Sequence, residues 1–161
     1  MAYRSVIIKN YLNIFEEYEA NAAISPGMLV ELMSTGKIRV HSTESGNAVP
    51  MFAIENRLEG KDITDAYAAA EKVQVWIPQR GDEVYAQIED EQNIAIGDFL
   101  ESNGLGYLQK HTDQDLSSQV TGTVNPLEIV AQALEALDLS SLSAAGSSDS
   151  PARQFLRVRI V

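Results

Sequence analysis

The 161-residue chain contains no cysteine, which removes disulfides and thiolate metal sites from the means of holding it together, so packing must do so. It has only two histidines, His41 and His111, in no H-x-x-x-H spacing, so a typical zinc set cannot be completed. Basic residues are scarce: 12 Lys and Arg stand against 23 Asp and Glu, a net charge of −11. Such a surface repels a phosphate backbone and disfavours anionic membrane, so neither nucleic acid nor a membrane is an expected partner. The same charge favours solubility at high local concentration. No apolar run approaches the roughly 18 residues of a membrane span. Glu16, Glu17 and Glu19 interrupt the N-terminal stretch where a secretory signal needs an apolar core. A soluble protein made in the cytoplasm is expected. There is also no G-x-S-x-G, P-loop or dinucleotide fingerprint, so no catalytic residue, cofactor or metal is assigned.

What is present is the composition of a globular protein, with 45% hydrophobic and 22% charged residues. A chain of this size buries roughly 68–70% of its unfolded surface, enough for one main domain with a real core. The middle of the chain is a series of short apolar runs broken by turn residues, the pattern of an all-β barrel or sandwich. "GMLVELM" and "KIRVHS" flank Ser34-Thr35-Gly36; "VQVWIP" and "EVYAQIE" flank Gln79-Arg80-Gly81-Asp82; "DFLES" and "GYLQKH" flank Asn103-Gly104-Leu105. Each reads as a hairpin. "ITDAYAAAEKV" reads as a single helical turn capped by Thr64. The closing "FLRVRIV" alternates Leu156, Val158 and Ile160 inward with Arg157 and Arg159 outward, a strand.

Two regions are harder. Residues 1–23 form a separate N-terminal region, divided from a β-rich domain over 24–161. Within it Tyr11, Ile14, Phe15, Tyr18 and Ala22 fall on one face of a short helix, after an extended "RSVIIKN". A terminus this apolar docks on its own core or reaches a neighbour. In "VNPLEIVAQALEALDLS", Asn125 and Pro126 are helix-start signals and Leu127, Val130, Leu134 and Leu137 make a helical stripe. The same letters allow a strand, and periodicity does not decide between them. "SSLSAAGSSDS", Ser140 to Ser150, reads as a low-complexity loop.

One stretch is used twice. "ISPGMLVELMSTGKIRVH" and "IAIGDFLESNGLGYLQKH" match at a fixed offset of 70 residues, pairing Ile24 with Ile94, Gly27 with Gly97, Val30 with Leu100, Glu31 with Glu101, Gly36 with Gly106, Ile38 with Leu108 and His41 with His111. The paired histidines suggest a divided active site, but equivalent strand ends have no reason to meet, and exposed strand ends are the favoured reading. Glu31 and Glu101 most simply face water from mid-strand. Arg80-Gly81-Asp82 spells a cell-adhesion tripeptide, yet its residues are also turn formers between two strands. Trp76, among alternating apolar residues, is placed in the core or an interface.

The stretches "IIKNYLNIFEEYEANAAISPGMLVEL", "VPMFAIENRLEGKDITDAYAAAEKVQVWIPQRGDEVYAQI", "IAIGDFLESNGLGYLQKH" and "IVAQALEALDLS" together resemble the capsid decoration, or cement, proteins of tailed bacteriophages. The resemblance runs in order over most of the chain, and the G-D-E-V-Y and G-D-F-L-E-S hairpins carry most of it. It implies a mainly β fold with little helix: a compact, β-barrel-like body of the β-tulip type with an extended N-terminal arm. It further implies homotrimers at local three-fold positions on the capsid exterior, and an arm running onto the major capsid protein. Ile7, Ile8, Tyr11 and Phe15 would be the apolar anchors of that arm. It favours a strand for "IVAQALEAL", paired with the last strand. The implied function is non-enzymatic stabilisation of the shell. Two other classes are carried beside it: a surface-displayed adhesion or carbohydrate-binding module using Arg80-Gly81-Asp82 and the Ser140 to Ser150 loop, and a hydrolase using His41 or His111 with nearby carboxylates.

Overall fold

A computed structural model describes residues 3–12, 14–112, 125–140 and 154–161. These residues form β1 (Ile7–Lys9), β2 (Phe15–Glu19), β3 (Val30–Leu32), β4 (Ile38–Val40), β5 (Phe52–Ala53), β6 (Lys72–Trp76) and β7 (Glu83–Gln87). They continue with β8 (Asn93–Ile94), β9 (Phe99–Ser102), β10 (Leu108–Lys110), β11 (Ile129–Ala133), β12 (Leu137–Asp138) and β13 (Phe155–Ile160). A 3₁₀ turn at Arg57–Glu59 is the helical element among the described residues. The expected mainly β body with little helix is present.

The largest sheet is six-stranded, in the order β1-β7-β13-β11-β9-β10, with antiparallel pairing at every step. β13 sits at its centre and shows why the sheet forms. Leu156 and Val158 lie opposite Ala86 and Val84 of β7, and Leu156, Val158 and Ile160 are buried. Each second side chain is thus removed from water, at roughly 25 cal/mol per Å² of apolar surface. A second sheet runs β2-β6-β5, while β3-β4 and β8-β12 are two-stranded.

Two apolar clusters fill the body, and neighbouring residues of one strand serve different clusters. Trp76, Phe52 and Leu29 belong to the larger cluster, whereas Val75, Ala53 and Val30 belong to the smaller. Successive side chains of a strand point to opposite faces, so β6, β5 and the start of β3 form a layer between the two. Trp76 and Phe52 are opposite each other and fully buried, as expected for Trp76. Tyr67, also buried, donates its hydroxyl to the Ile54 carbonyl at 2.7 Å. Burial and nearby glutamates push its phenol up to about 12.

Four local expectations are settled. The segment 129–133 is a strand paired with β13, Ala131 opposite Ile160, and Asn125 to Glu128 close a turn instead of starting a helix. The described residues of 11–22 form no helix. β6 has apolar residues on both faces and needs backbone partners on both edges, and Phe15–Glu19 supply one of them, Phe15 opposite Trp76 and Glu17 opposite Gln74. Thr64 caps no helix, because residues 62–65 form a turn in which Asp62 N–H donates to Asp65 Oδ2 at 2.7 Å. The expected hairpin across Gln79 to Asp82 is a corner, since β6 and β7 belong to different sheets and Gly81 N–H donates to Ile160 of β13 at 2.9 Å. Val6 and Ala20 are buried in the larger and smaller clusters. Val6 and Ala20 thus tie described parts of the N-terminal segment to the body, while other described residues of it are exposed. Apart from Ser140, the low-complexity loop lies outside the described residues.

Candidate interaction surface

The duplicated stretch folds as two similar units. β3-β4 and β9-β10 have the same register, with Glu31 opposite Arg39 and Glu101 opposite Gln109. His41 N–H donates to the Leu29 carbonyl at 3.0 Å, and His111 N–H to the equivalent Phe99 carbonyl at 2.8 Å. Gly36 and Gly106 both have positive φ, 79° and 85°, which a side chain would disfavour. The glutamates are equivalent too. Glu31 accepts from Arg39 Nε at 2.7 Å and Glu101 from Gln109 Nε2 at 3.0 Å. His41 Nε2 lies 3.7 Å from Glu31, and His111 Nδ1 lies 2.5 Å from Glu101. A His/Glu pair is therefore part of the repeated unit. Burial acts to raise the Glu31 pKa, but hydrogen bonds from Ser42 and Arg39 and the adjacent His41 outweigh it and leave the carboxyl below its usual range.

The two histidines do not converge. His41 bonds Ser102 and His111 bonds Glu101, adjacent residues of β9 whose side chains leave opposite faces. Both histidines were expected at exposed strand ends, and Glu31 and Glu101 in water; instead His41 and Glu101 are buried and the other two are half-buried. Ser102, His41 and Glu31 have the residue types of a nucleophilic triad, but their roles are filled. His41 Nε2–H donates to the Asn47 carbonyl at 3.1 Å, and Nδ1 is bonded to the Ser102 hydroxyl at 2.8 Å. Ser102 Oγ also accepts Gly104 N–H at 3.1 Å. Since Ser102 is wholly buried, a substrate carbonyl has no approach to it. The network joins the end of β4 to β9.

The adhesion tripeptide is likewise used internally. Asp82 is buried; its Oδ2 accepts Gln79 N–H at 2.8 Å and its Oδ1 accepts Tyr11 N–H at 2.7 Å. No carboxylate is left for a receptor, and the motif gives no support to adhesion.

The bond from Asp82 fixes the N-terminal segment. Glu55, also buried, accepts Val6 N–H at 3.1 Å and Arg57 Nε at 3.0 Å. Two carboxylates thus pin the backbone at Val6 and Tyr11 while the side chains after it point outward. Tyr11 is 92% exposed, and Leu12, Ile14 and Phe15 are also exposed. Of the four expected anchors, Tyr11 and Phe15 are at the surface. Ile7 and Ile8 are half-buried, and Ile7 packs against the larger core cluster. Ile7 and Phe15 line one groove of about 290 Å³ with Ile54, Leu58, Glu55 and Arg57. Leu58, 96% exposed, had no signal in the sequence, where it is one apolar residue in "ENRLEG". A cluster of large apolar side chains on a pinned backbone has the makings of a protein interface: its anchors need little further ordering on binding.

No family model and no curated protein sequence matches the chain. Among solved structures, the chain is similar to the N base of the head fiber gp8.5 of bacteriophage phi29. The match covers 93% of this chain and 95% of that one, with a TM-score of 0.53 and 12% sequence identity. At that identity the likeness establishes a shared fold.

Proposed function

We propose that the chain is a non-enzymatic structural protein of a tailed-phage virion, which binds the capsid exterior and stabilises the shell. The observation that carries this reading is the fold likeness, over nearly the whole of both chains, to the base of a phage head fiber. The sequence resemblance to capsid decoration proteins points to the same place. On this reading the body is of the β-tulip type, and homotrimers sit at local three-fold positions against the major capsid protein. The surface around Tyr11, Phe15 and Leu58 makes that contact. A net charge of −11 suits an outer surface, which has no packaged DNA to neutralise.

No bond need be made or broken for this activity. A protein that binds only the assembled shell stabilises it by RT ln(1 + [L]/Kd), about 2.7 kcal/mol for each site at a hundred times Kd. Expanded shells assembled without the protein should therefore open at a higher temperature once it is added, by an amount that grows with its free concentration. Shells whose opening temperature stays fixed at saturating protein would overturn the stabilising role.

A further inference from the structure

We infer that copies of this chain join head to tail, through the same contact that joins its two repeated units internally. Within the chain, the first unit covers the turn of the second. Leu29 N–H donates to the Gly106 carbonyl at 2.8 Å, the His41 ring bonds Ser102, and a Cβ at Gly106 would stand 2.9 Å from Val40 Cβ. The leading side of unit one, Leu29 and His41, is thereby matched to the turn side of unit two, Ser102 and Gly106.

The corresponding halves, 70 residues away in each case, are uncovered except at His111, whose ring is half-buried against Glu101. Phe99, the equivalent of the buried Leu29, is 45% exposed. Ile96, the equivalent of the buried Pro26, is 70% exposed. On the other half, Leu32 replaces the buried Ser102 and is 52% exposed, and a Cβ at Gly36 would meet nothing within 4 Å. Each copy thus has one completed contact and both halves of a second, and the free halves carry apolar side chains of the size that interfaces bury.

The charge of −11 does not forbid the contact, because acids beside both halves are neutralised. Lys110 is 2.8 Å from Asp98 next to Phe99; Lys37 is 2.6 Å from Glu19, and Arg39 is 2.7 Å from Glu31, next to Leu32. A contact between unlike surfaces closes into a ring when its rotation permits. This inference rests on the trimer of the proposed function. Three copies would place six similar units around the axis, with contacts alternating within and between chains.

Sedimentation equilibrium of the full chain and two variants tests it. Wild type is expected at the mass of three chains, and Leu32→Glu and Phe99→Glu each at the mass of one, since a charge now enters the buried contact. An equimolar mixture of the two variants is expected at two chains, because the intact Phe99 side of one meets the intact Leu32 side of the other. An interface between like surfaces does not give that result. The uncharged pair Leu32→Ser and Phe99→Ser repeats the readout should either glutamate variant lose its fold by circular dichroism. Monomeric wild type overturns the trimer and this inference together. A trimer that survives both substitutions, or a mixture that stays monomeric, overturns this inference and leaves shell binding standing.

Discussion

Replacing Tyr11 and Phe15 together with aspartate is expected to weaken binding to expanded shells by about a thousandfold while leaving the melting temperature of the free protein unchanged. Aromatic anchors at the centre of an interface typically cost about 2 kcal/mol or more each on truncation, and roughly 1.4 kcal/mol corresponds to a factor of ten. Both rings are exposed in the free protein, so the fold loses little with them. The backbone beneath them stays in place through Tyr11 N–H and the buried Asp82, and through the pairing of Phe15 with Trp76. Removing residues 1–23 is a poorer experiment, because it also strips β1 and β2 from their sheets. Co-sedimentation with shells measures the effect; binding within about threefold of wild type would remove Tyr11 and Phe15 from the contact. Ile7→Ala belongs to a different class and should lower the stability of the free protein, since Ile7 packs on the core.

The largest loss of stability is expected at Trp76. Trp76→Ala should cost about 3–5 kcal/mol, the usual range for emptying a large buried site, because the ring is fully buried within the larger cluster. Trp76→Phe should cost clearly less, because phenylalanine keeps most of the buried ring and leaves a smaller cavity. The indole N–H has no hydrogen-bond partner among the described residues, so phenylalanine removes a buried donor that contributes no bond, and only the difference in volume counts. Urea unfolding followed by circular dichroism separates the two variants. Equal losses would contradict the account, since the ring volume kept by phenylalanine would then count for nothing.

Much of the fold was legible because local chemistry and tertiary environment agree there. The alternation in "FLRVRIV" is the alternation of β13, and Gly36 and Gly106 occupy the turns that need positive φ. The strand at 129–133 was legible only through family resemblance, since Asn125 and Pro126 suit a turn as well as a helix start. Residues 11–22 misled because Glu-rich sequence accepts a helix, and the demand for pairing comes from β6, more than fifty residues away. The corner at Gln79 to Asp82 misled for a similar reason: its backbone bonds go to β13 and its Asp82 carboxylate accepts Tyr11 N–H, contacts that no local pattern encodes. The duplicated hairpins were visible as a repeat, but the His/Glu pairs inside them needed the register of each hairpin to bring residues ten apart together. Tyr11 and Phe15 were legible as apolar residues at an end of the chain. Leu58 and the pinning role of Asp82 were not, because their meaning lies in what folds against them.

Electron microscopy of expanded shells saturated with the protein tests the structural role most directly. The predicted result is ordered density for the β body on the outer surface at the local three-fold positions, with Tyr11 and Phe15 turned toward the major capsid protein. Shells that show no added density at saturating protein, or density confined to another part of the particle, would contradict it.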